Sequence, residues 1–252
     1  MNNQTVEEIA LWLRAAYPVK MEMHAHTKPA SYCGEIEPEQ MIKVYHARHY
    51  DAVVITNHLR LNYTDEQIRY HVEDYHRACA AAEAVGMRVF YGMELTFCDM
   101  KTYDFLVYGV EPADTPQLLS YVKAGYRSFI GTPERKKSIV FTAHPYRDNP
   151  IGEPIYLGEL SDGIEAFNMH PNIDSNNGFG SRFAREHGQP VICGTDFHHT
   201  NHEGMAAVRF PRMPENETDL RDLLRAGDYI MELNGNLVLP SHRVDRVSVD
   251  GT

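Results

Sequence analysis

The sequence predicts an α/β fold in which parallel strands alternate with helices, either a barrel or a doubly wound sheet. Three observations carry that expectation. Short continuous apolar runs, rich in β-branched and aromatic residues, recur along the chain, as suits strands covered on both faces. Segments with helical spacing and readable ends lie between them. No low-complexity stretch, long linker or short repeat interrupts the 252 residues. A single domain is therefore expected over 1–252, with its core over about 19–234 and a C-terminal extension over 235–252.

Residues 6–17 carry Glu7, Glu8 and Arg14 among apolar residues and read as a short amphipathic helix, not a signal peptide. Strands are expected over 19–23, 52–56, 87–93, 105–110, 139–143, 163–167, 191–195, 206–210 and 229–233. Pro38 suits the first turn of a helix that carries Met41, Ile42 and Tyr45. Thr64 and Gln67 form a capping-box pattern; Ile68, Val72, Tyr75 and Cys79 then share one face, and Gly86 closes that helix. Phe179 and Phe183 mark a further helix ended by Gly188, and Leu220, Leu223 and Leu224 another ended by Gly227.

Composition narrows the function. With 24 basic and 35 acidic side chains, the formal charge of -11 argues against a broad nucleic-acid footprint, which needs clustered Lys and Arg. No stable nucleic-acid partner is expected. Apolar runs fall short of the ~20 residues that span a bilayer, so no membrane partner is expected either. Cys33, Cys79, Cys98 and Cys193 are scattered without a CxxC pair, which excludes a zinc ribbon and a disulfide framework. Reduced thiols and a cytoplasmic location are the corresponding expectations. Oligomeric state is not legible.

The 14 histidines gain meaning from position. The first strand run ends at His24 and His26, which point to one side because strand residues two apart do so. The second ends at His58, the third at Glu94, the run 139–143 at His144, and 191–195 at Asp196 with His198 two further on. A lone histidine at a strand end is more often a core or surface residue than a ligand. Five strands delivering such residues at one end, two of them as HxH and DxH pairs, point to a shared metal site at the C-terminal face of a barrel. Imidazole with carboxylate suits Zn, Mn or Fe. The candidates exceed the four ligands of one tetrahedral zinc, so at least two divalent ions are expected, with Glu94 as a bridge. Paired metals serve hydrolysis through a metal-bound hydroxide. No Ser/His/Asp arrangement, Walker loop or GxGxxG supplies another nucleophile or phosphate cradle.

These residues fall in five ordered motifs: His24-Ala25-His26-Thr27, Ile55-Thr56-Asn57-His58, Gly92-Met93-Glu94, Thr142-Ala143-His144-Pro145 and Gly194-Thr195-Asp196-Phe197-His198. The chain thereby resembles the PHP (polymerase and histidinol phosphatase) phosphoesterases, nearly end to end. The resemblance implies a distorted (β/α)7 TIM-like barrel, a centre of two or three metals, and hydrolysis of a small phosphorylated substrate. It implies a first metal held by His24, His26, Glu94 and Asp196, a second by Glu94 and His144, and a third by His58 and His198. Asp196, His198 and His144 would be the catalytic set. The chain departs from the family twice. Ser31-Tyr32-Cys33-Gly34 stands where a His or Asp is usual, leaving Cys33 as a thiolate or Glu35 as substitutes. Asp104 stands before Phe105-Leu106-Val107-Tyr108-Gly109 where the family has His, and is a candidate second-metal ligand.

Phosphate binding calls for cations and N–H donors. Arg147, Lys28 and Arg60 follow ligand residues on their loops, and His170 and Asn168 follow the strand 163–167. His199 and His202 flank the DxH pair without a distinguishing spacing. Glu165 lies inside its strand, where a structural hydrogen bond and a catalytic role are both open. Two other functions compete: an amidohydrolase-type enzyme acting on C–N or lactone bonds, and a metal-depleted scaffold of the same fold. A polymerase-attached proofreading role is disfavoured by the acidic charge.

Overall fold

Thr5 caps the first helix, its hydroxyl accepting from the Glu8 N–H at 3.2 Å while Glu8 reaches back to the Thr5 N–H. The structure is a computed structural model, and it describes residues 5–100, 103–147, 158–200 and 206–240. The expected C-terminal extension therefore lies outside the described residues beyond 240, as does His202.

The elements run α1 (Val6–Ala16), β1 (Val19–Ala25), α2 (Pro38–Ala47), β2 (Ala52–Ile55), β3 (His58–Leu59), α3 (Asp65–Glu83), β4 (Arg88–Leu95), β5 (Phe105–Tyr108), α4 (Thr115–Ala124), α5 (Pro133–Lys137), β6 (Ile139–Thr142), β7 (Gly163–Asn168), α6 (Asn177–Glu186), β8 (Val191–Gly194), β9 (Ala206–Phe210), α7 (Glu217–Ala226), β10 (Ile230–Leu233) and β11 (Asn236–Val238). Pro38 sits in the first turn of α2, and Gly227 ends α7 with φ of 67°. No described helix is long and apolar enough to cross a membrane.

The strands form one curled, mixed sheet ordered β11-β10-β9-β1-β2-β4-β5-β6-β7-β8, with β3 against β4. The runs β1-β2-β4 and β6-β7-β8 are parallel, as expected. Strand β5 is antiparallel to both β4 and β6, and β9, β10 and β11 add an antiparallel edge beyond β1. The sheet returns on itself at one isolated bridge: His26 N–H donates to Phe197 O at 2.8 Å and Phe197 N–H to His24 O at 3.1 Å. The fold is α/β and TIM-like, as expected, but the expected distorted (β/α)7 barrel is corrected to a half-barrel of mixed direction. The physical cause is local. Residues 96–104 alone join β4 to β5, and a parallel crossover takes about a dozen residues or more.

Apolar side chains fill both faces of this sheet, with Met21, Met23, Leu106, Tyr108, Phe141 and Ile192 fully or almost fully buried. Helix α3 corrects a detail of the pattern reading. Its most buried line is His71, Asp74, Ala78 and Ala82, one step round from the apolar line Ile68, Val72, Tyr75 and Cys79, which is only partly covered. Asp74 is drawn inward because its carboxylate accepts from Thr27 Oγ1 at 2.8 Å and the Ala30 N–H at 3.2 Å. Phe179 is likewise exposed while Phe183 is buried.

Candidate metal centre

His24 lies within β1 and Glu94 within β4, while His26, His144 and Asp196 follow the ends of β1, β6 and β8. All five are buried, His144 the least at 9% exposed. His24 Nε2 lies 3.3 Å from Glu94 Oε2 and 3.5 Å from Asp196 Oδ1. His26 Nε2 lies 3.3 Å from the same two oxygens. Two of these residues stand in strained backbone: His144 has φ of 27° and Asp196 of 55°, in the left-handed region that non-glycine residues seldom enter.

Among the described residues, three groups of side chains offer ligand atoms within 4.8 Å of one another: His24 with His26 and Glu94; Glu94 with Asp104 and His144; and His26 with His58 and His198. Glu94 joins the first two and His26 joins the first and third. His144 Nε2 lies 3.1 Å from Glu94 Oε1 and 3.9 Å from Asp104 Oδ2. His58 Nδ1 lies 2.8 Å from Glu94 Oε2. Asp104 reaches this place through the reversal of β5. On a parallel strand its position before Phe105 would lie at the far end, but here Phe105 is in register with Leu95 of β4 and Thr142 of β6.

Whether these residues suit metal ions can be tested on their unpartnered atoms. His24 Nε2, His26 Nε2 and Glu94 Oε2 are buried and complete no hydrogen bond. Leaving each such group unsatisfied costs about 1–3 kcal/mol, so three orphans converging on one place fit a shared cation. The opposite ring nitrogens are already engaged. His24 Nδ1 donates to Glu165 Oε1 at 2.9 Å, which directs its lone pair to Nε2. The Ser31 hydroxyl donates to Asn57 Oδ1 at 2.9 Å, so His26 Nδ1, 3.4 Å from Ser31 Oγ, is the donor in that pair. His198 Nδ1 donates to Asp196 O at 2.9 Å.

The electrostatics agree. Burial opposes a charge on His24, yet the carboxylates of Glu165, Asp196 and Glu94 raise its pKa well above the usual imidazole value. Burial, then the charges of His198 and His58, pushes His26 well below it. Burial also works against ionisation of Glu94 and Asp196, and the surrounding histidines overcome it, leaving both ionised well below the usual carboxylate range. A site that gathers protons in this way is one where divalent cations can replace them.

The remaining candidates divide. Arg147 Nη2 donates to Asp196 Oδ2 and, at 3.0 Å, to Asn168 Oδ1, and its Nε is buried without a partner. Arg60 Nη2 lies 3.1 Å from His58 Nε2. The His170 ring lies 5.7 Å from that of His198. Lys28 joins none of the three groups and pairs with Glu37 Oε1 at 3.6 Å on a half-exposed surface. Glu35 turns to His199 Nδ1 at 2.8 Å. Cys33 is exposed as a residue, with its Sγ 3.1 Å from His198 Nε2. Burial resists ionisation of its thiol, but His198 and His58 bring its pKa down to about 6.

Pattern reading left a structural hydrogen bond open for Glu165, which the structure shows, but missed Glu22 and the supporting roles of Asn57 and Thr27. Glu165 also accepts from the His144 N–H at 2.9 Å and Asn168 Nδ2 at 3.0 Å. Asn57 Oδ1 accepts from the Thr27 N–H at 2.7 Å, and its Nδ2 donates to Thr27 Oγ1 at 2.9 Å. Glu22, pushed up to about 7 by burial, takes the N–H groups of His24 and Thr195 at 2.8 and 2.9 Å. A carboxylate inside an otherwise apolar strand, as at Glu22 and Glu165, was the available signal.

The sequence pattern of the PHP domain matches residues 22–234. The chain belongs to the PHP domain family. No curated protein matches it. Among solved structures, PsfC of Pseudomonas syringae is 14% identical at a TM-score of 0.59, covering 91% of this chain and 96% of its own. A protein of Bifidobacterium adolescentis described as a candidate metal-dependent phosphoesterase is 17% identical at 0.51, covering 82% and 94%. A Chromobacterium violaceum protein described as an amidohydrolase, with bound sulfate and no metal, is 15% identical at 0.51, covering 87% and 98%. Likeness at such identities is likeness of fold. PHP membership agrees with a metal-dependent hydrolase.

Proposed function

We propose that this PHP chain is a metal-dependent phosphoesterase that hydrolyses a phosphate ester of a small molecule. The observation that carries the reading is the set of buried atoms His24 Nε2, His26 Nε2 and Glu94 Oε2, none completing a hydrogen bond, at the junction of overlapping ligand groups. His24, His26, Glu94 and Asp196 would hold one divalent ion, Glu94, Asp104 and His144 a second, and His58 and His198 a third, drawn from Zn, Mn or Fe. When bound, such ions supply Lewis acidity that polarises the phosphoryl group and lowers the pKa of water.

The chain's own groups do the rest. Glu94 turns Oε2 to the histidines of β1 and Oε1 to His144, so one carboxylate serves both sides. Glu165 locks His24 and, through the His144 N–H, sets the strained turn after β6. Arg147 stands over Asp196 with Nε unpartnered, and this N–H is the donor offered to a phosphate oxygen. Arg60 and His170, beside His58 and His198, line the approach. Burial of the ligands excludes bulk water, which strengthens each interaction with developing charge.

The test is a panel of phosphomonoesters, phosphodiesters, cyclic amides and lactones with Mn, Zn and Fe. It is run beside a His24→Ala/Asp196→Ala double variant. Monoester turnover that disappears in the variant is expected. Turnover surviving in the variant would refute the site, and turnover of the amides or lactones alone would establish C–N or lactone chemistry instead.

A further inference from the structure

The β3 end of the centre draws on distant parts of the chain: His58, His198 and, from the turn after β1, Cys33. That turn is pinned. Gly34 N–H donates to Ser31 O at 3.1 Å, Glu35 N–H to His198 O at 3.0 Å, and Lys28 N–H to Ile36 O at 3.0 Å. A Cβ at Gly34 would lie 2.9 Å from the Thr27 carbonyl carbon, so only glycine lets the turn close against the end of β1. The closed turn presents Cys33 Sγ 3.1 Å from His198 Nε2, and His198 shares a group of ligand atoms with His58. Independently of the cysteine, the fully buried His26 Nε2 completes no hydrogen bond, and His26 offers a ligand atom within 4.8 Å of those of His58 and His198.

We propose that Cys33 coordinates metal as a thiolate with His58 and His198, so that the centre has a sulfur–nitrogen end that prefers zinc and an oxygen-rich end at Glu94, Asp104 and His144 that prefers manganese or iron. Coordination exchanges the S–H bond for a sulfur–metal bond and releases the proton to solvent, with no change of oxidation state. The preference comes from donor softness: thiolate selects zinc over manganese, and carboxylate favours the harder ions. This rests on the reading of the site as a metal centre.

The test uses the full chain and its Cys33→Ser variant, which keeps size and removes the soft donor. Loaded with Co(II), the wild type should show a near-ultraviolet sulfur-to-cobalt charge-transfer band that the variant lacks while still holding metal elsewhere. Zinc should slow iodoacetamide alkylation of Cys33 at least about tenfold, because metal competes for the reactive thiolate, and manganese should not. Cys98, whose Sγ donates to Lys123 O, serves as the internal reference by peptide mass spectrometry. The alkylation readout needs no variant and so stands even if Cys33→Ser does not fold. Two bound equivalents of metal with no band and unchanged Cys33 labelling would overturn the assignment of Cys33 alone. Equal protection by zinc and manganese would overturn the division of preference. A wild type that binds no metal would overturn the reading of the centre as well.

Discussion

The two flanks of the centre support their histidines with different chemistry. On the β7–β8 flank a single carboxylate, Glu165, takes His24 Nδ1 directly at 2.9 Å. On the β2–α3 flank a chain of neutral groups takes that part: Ser31, Asn57 and Thr27 stand behind His26 and His58 and end at Asp74 on α3. The consequence is visible in the two histidines of one HxH motif. Carboxylates raise His24 well above the ordinary imidazole pKa, while burial and the neighbouring imidazoles push His26 well below it. Two ligands that look equivalent in sequence therefore differ in basicity, because the groups behind them differ.

Four experiments probe this contrast, from the largest effect down. Glu94→Gln removes the carboxylate that both flanks share, and metal content and ester hydrolysis should fall to background. A variant that keeps both would mean the flanks do not form one centre. Glu165→Gln should weaken metal affinity by about 100-fold and Asp74→Asn by about 10-fold, the range over which outer supports act. Competitive chelator titrations would measure both, and equal losses would erase the distinction between direct and relayed support.

Gly194→Ala probes packing at the carboxylate flank. A Cβ there would overlap the His24 Cβ and lie 2.6 Å from Glu165 Oε1. The expected cost is about 1–3 kcal/mol of stability, as for an overpacked core, read from thermal unfolding. An unchanged Tm would show that His24 and Glu165 can move apart.

The last experiment reads pH dependence, where two buried acids have opposite signs. Burial pushes Asp74 up to about 6 from 3.8. The folded protein therefore binds more protons than the unfolded chain in that window, and stability rises as pH falls from about 6 to about 4. Glu232, against burial, is held down to about 2 from 4.5 by Arg209 and Lys20. Its contribution is present above about 4.5 and lost as pH falls towards 2. Denaturant titrations across pH should show the first slope vanish in Asp74→Asn and the second in Glu232→Gln, each of order 1–3 kcal/mol. Slopes of the same sign would contradict the assigned environments.

Much of the fold and of the candidate site was legible in the chain because the relevant rules are local. Alternation of side chains along a strand pairs His24 with His26, and apolar runs mark β1, β2, β4, β6, β7 and β8 to within a residue or two. Helix ends follow the caps read at Pro38, Thr64 and Gly227. What periodicity does not carry is strand direction and sidedness in three dimensions. An apolar run such as 105–110 reads the same in either direction, so the reversal of β5, which brings Asp104 to Glu94 and His144, was invisible. The inward turn of Asp74 was hidden for a related reason, since its partners Thr27 and Ala30 lie in another loop.

The order of residues alone thus settled which residue types stand at the strand ends, which helices flank them, and that imidazole and carboxylate would meet. Three-dimensional packing decided that the sheet is a mixed half-barrel, that Asp74 turns inward to Thr27 and Ala30, and that Cys33 meets His198 across the end of β1. The physical reason is range. Side-chain alternation, capping and turn chemistry act within a few residues of chain, whereas the meeting of residues 33 and 198 depends on how the whole sheet curls back to its first strand.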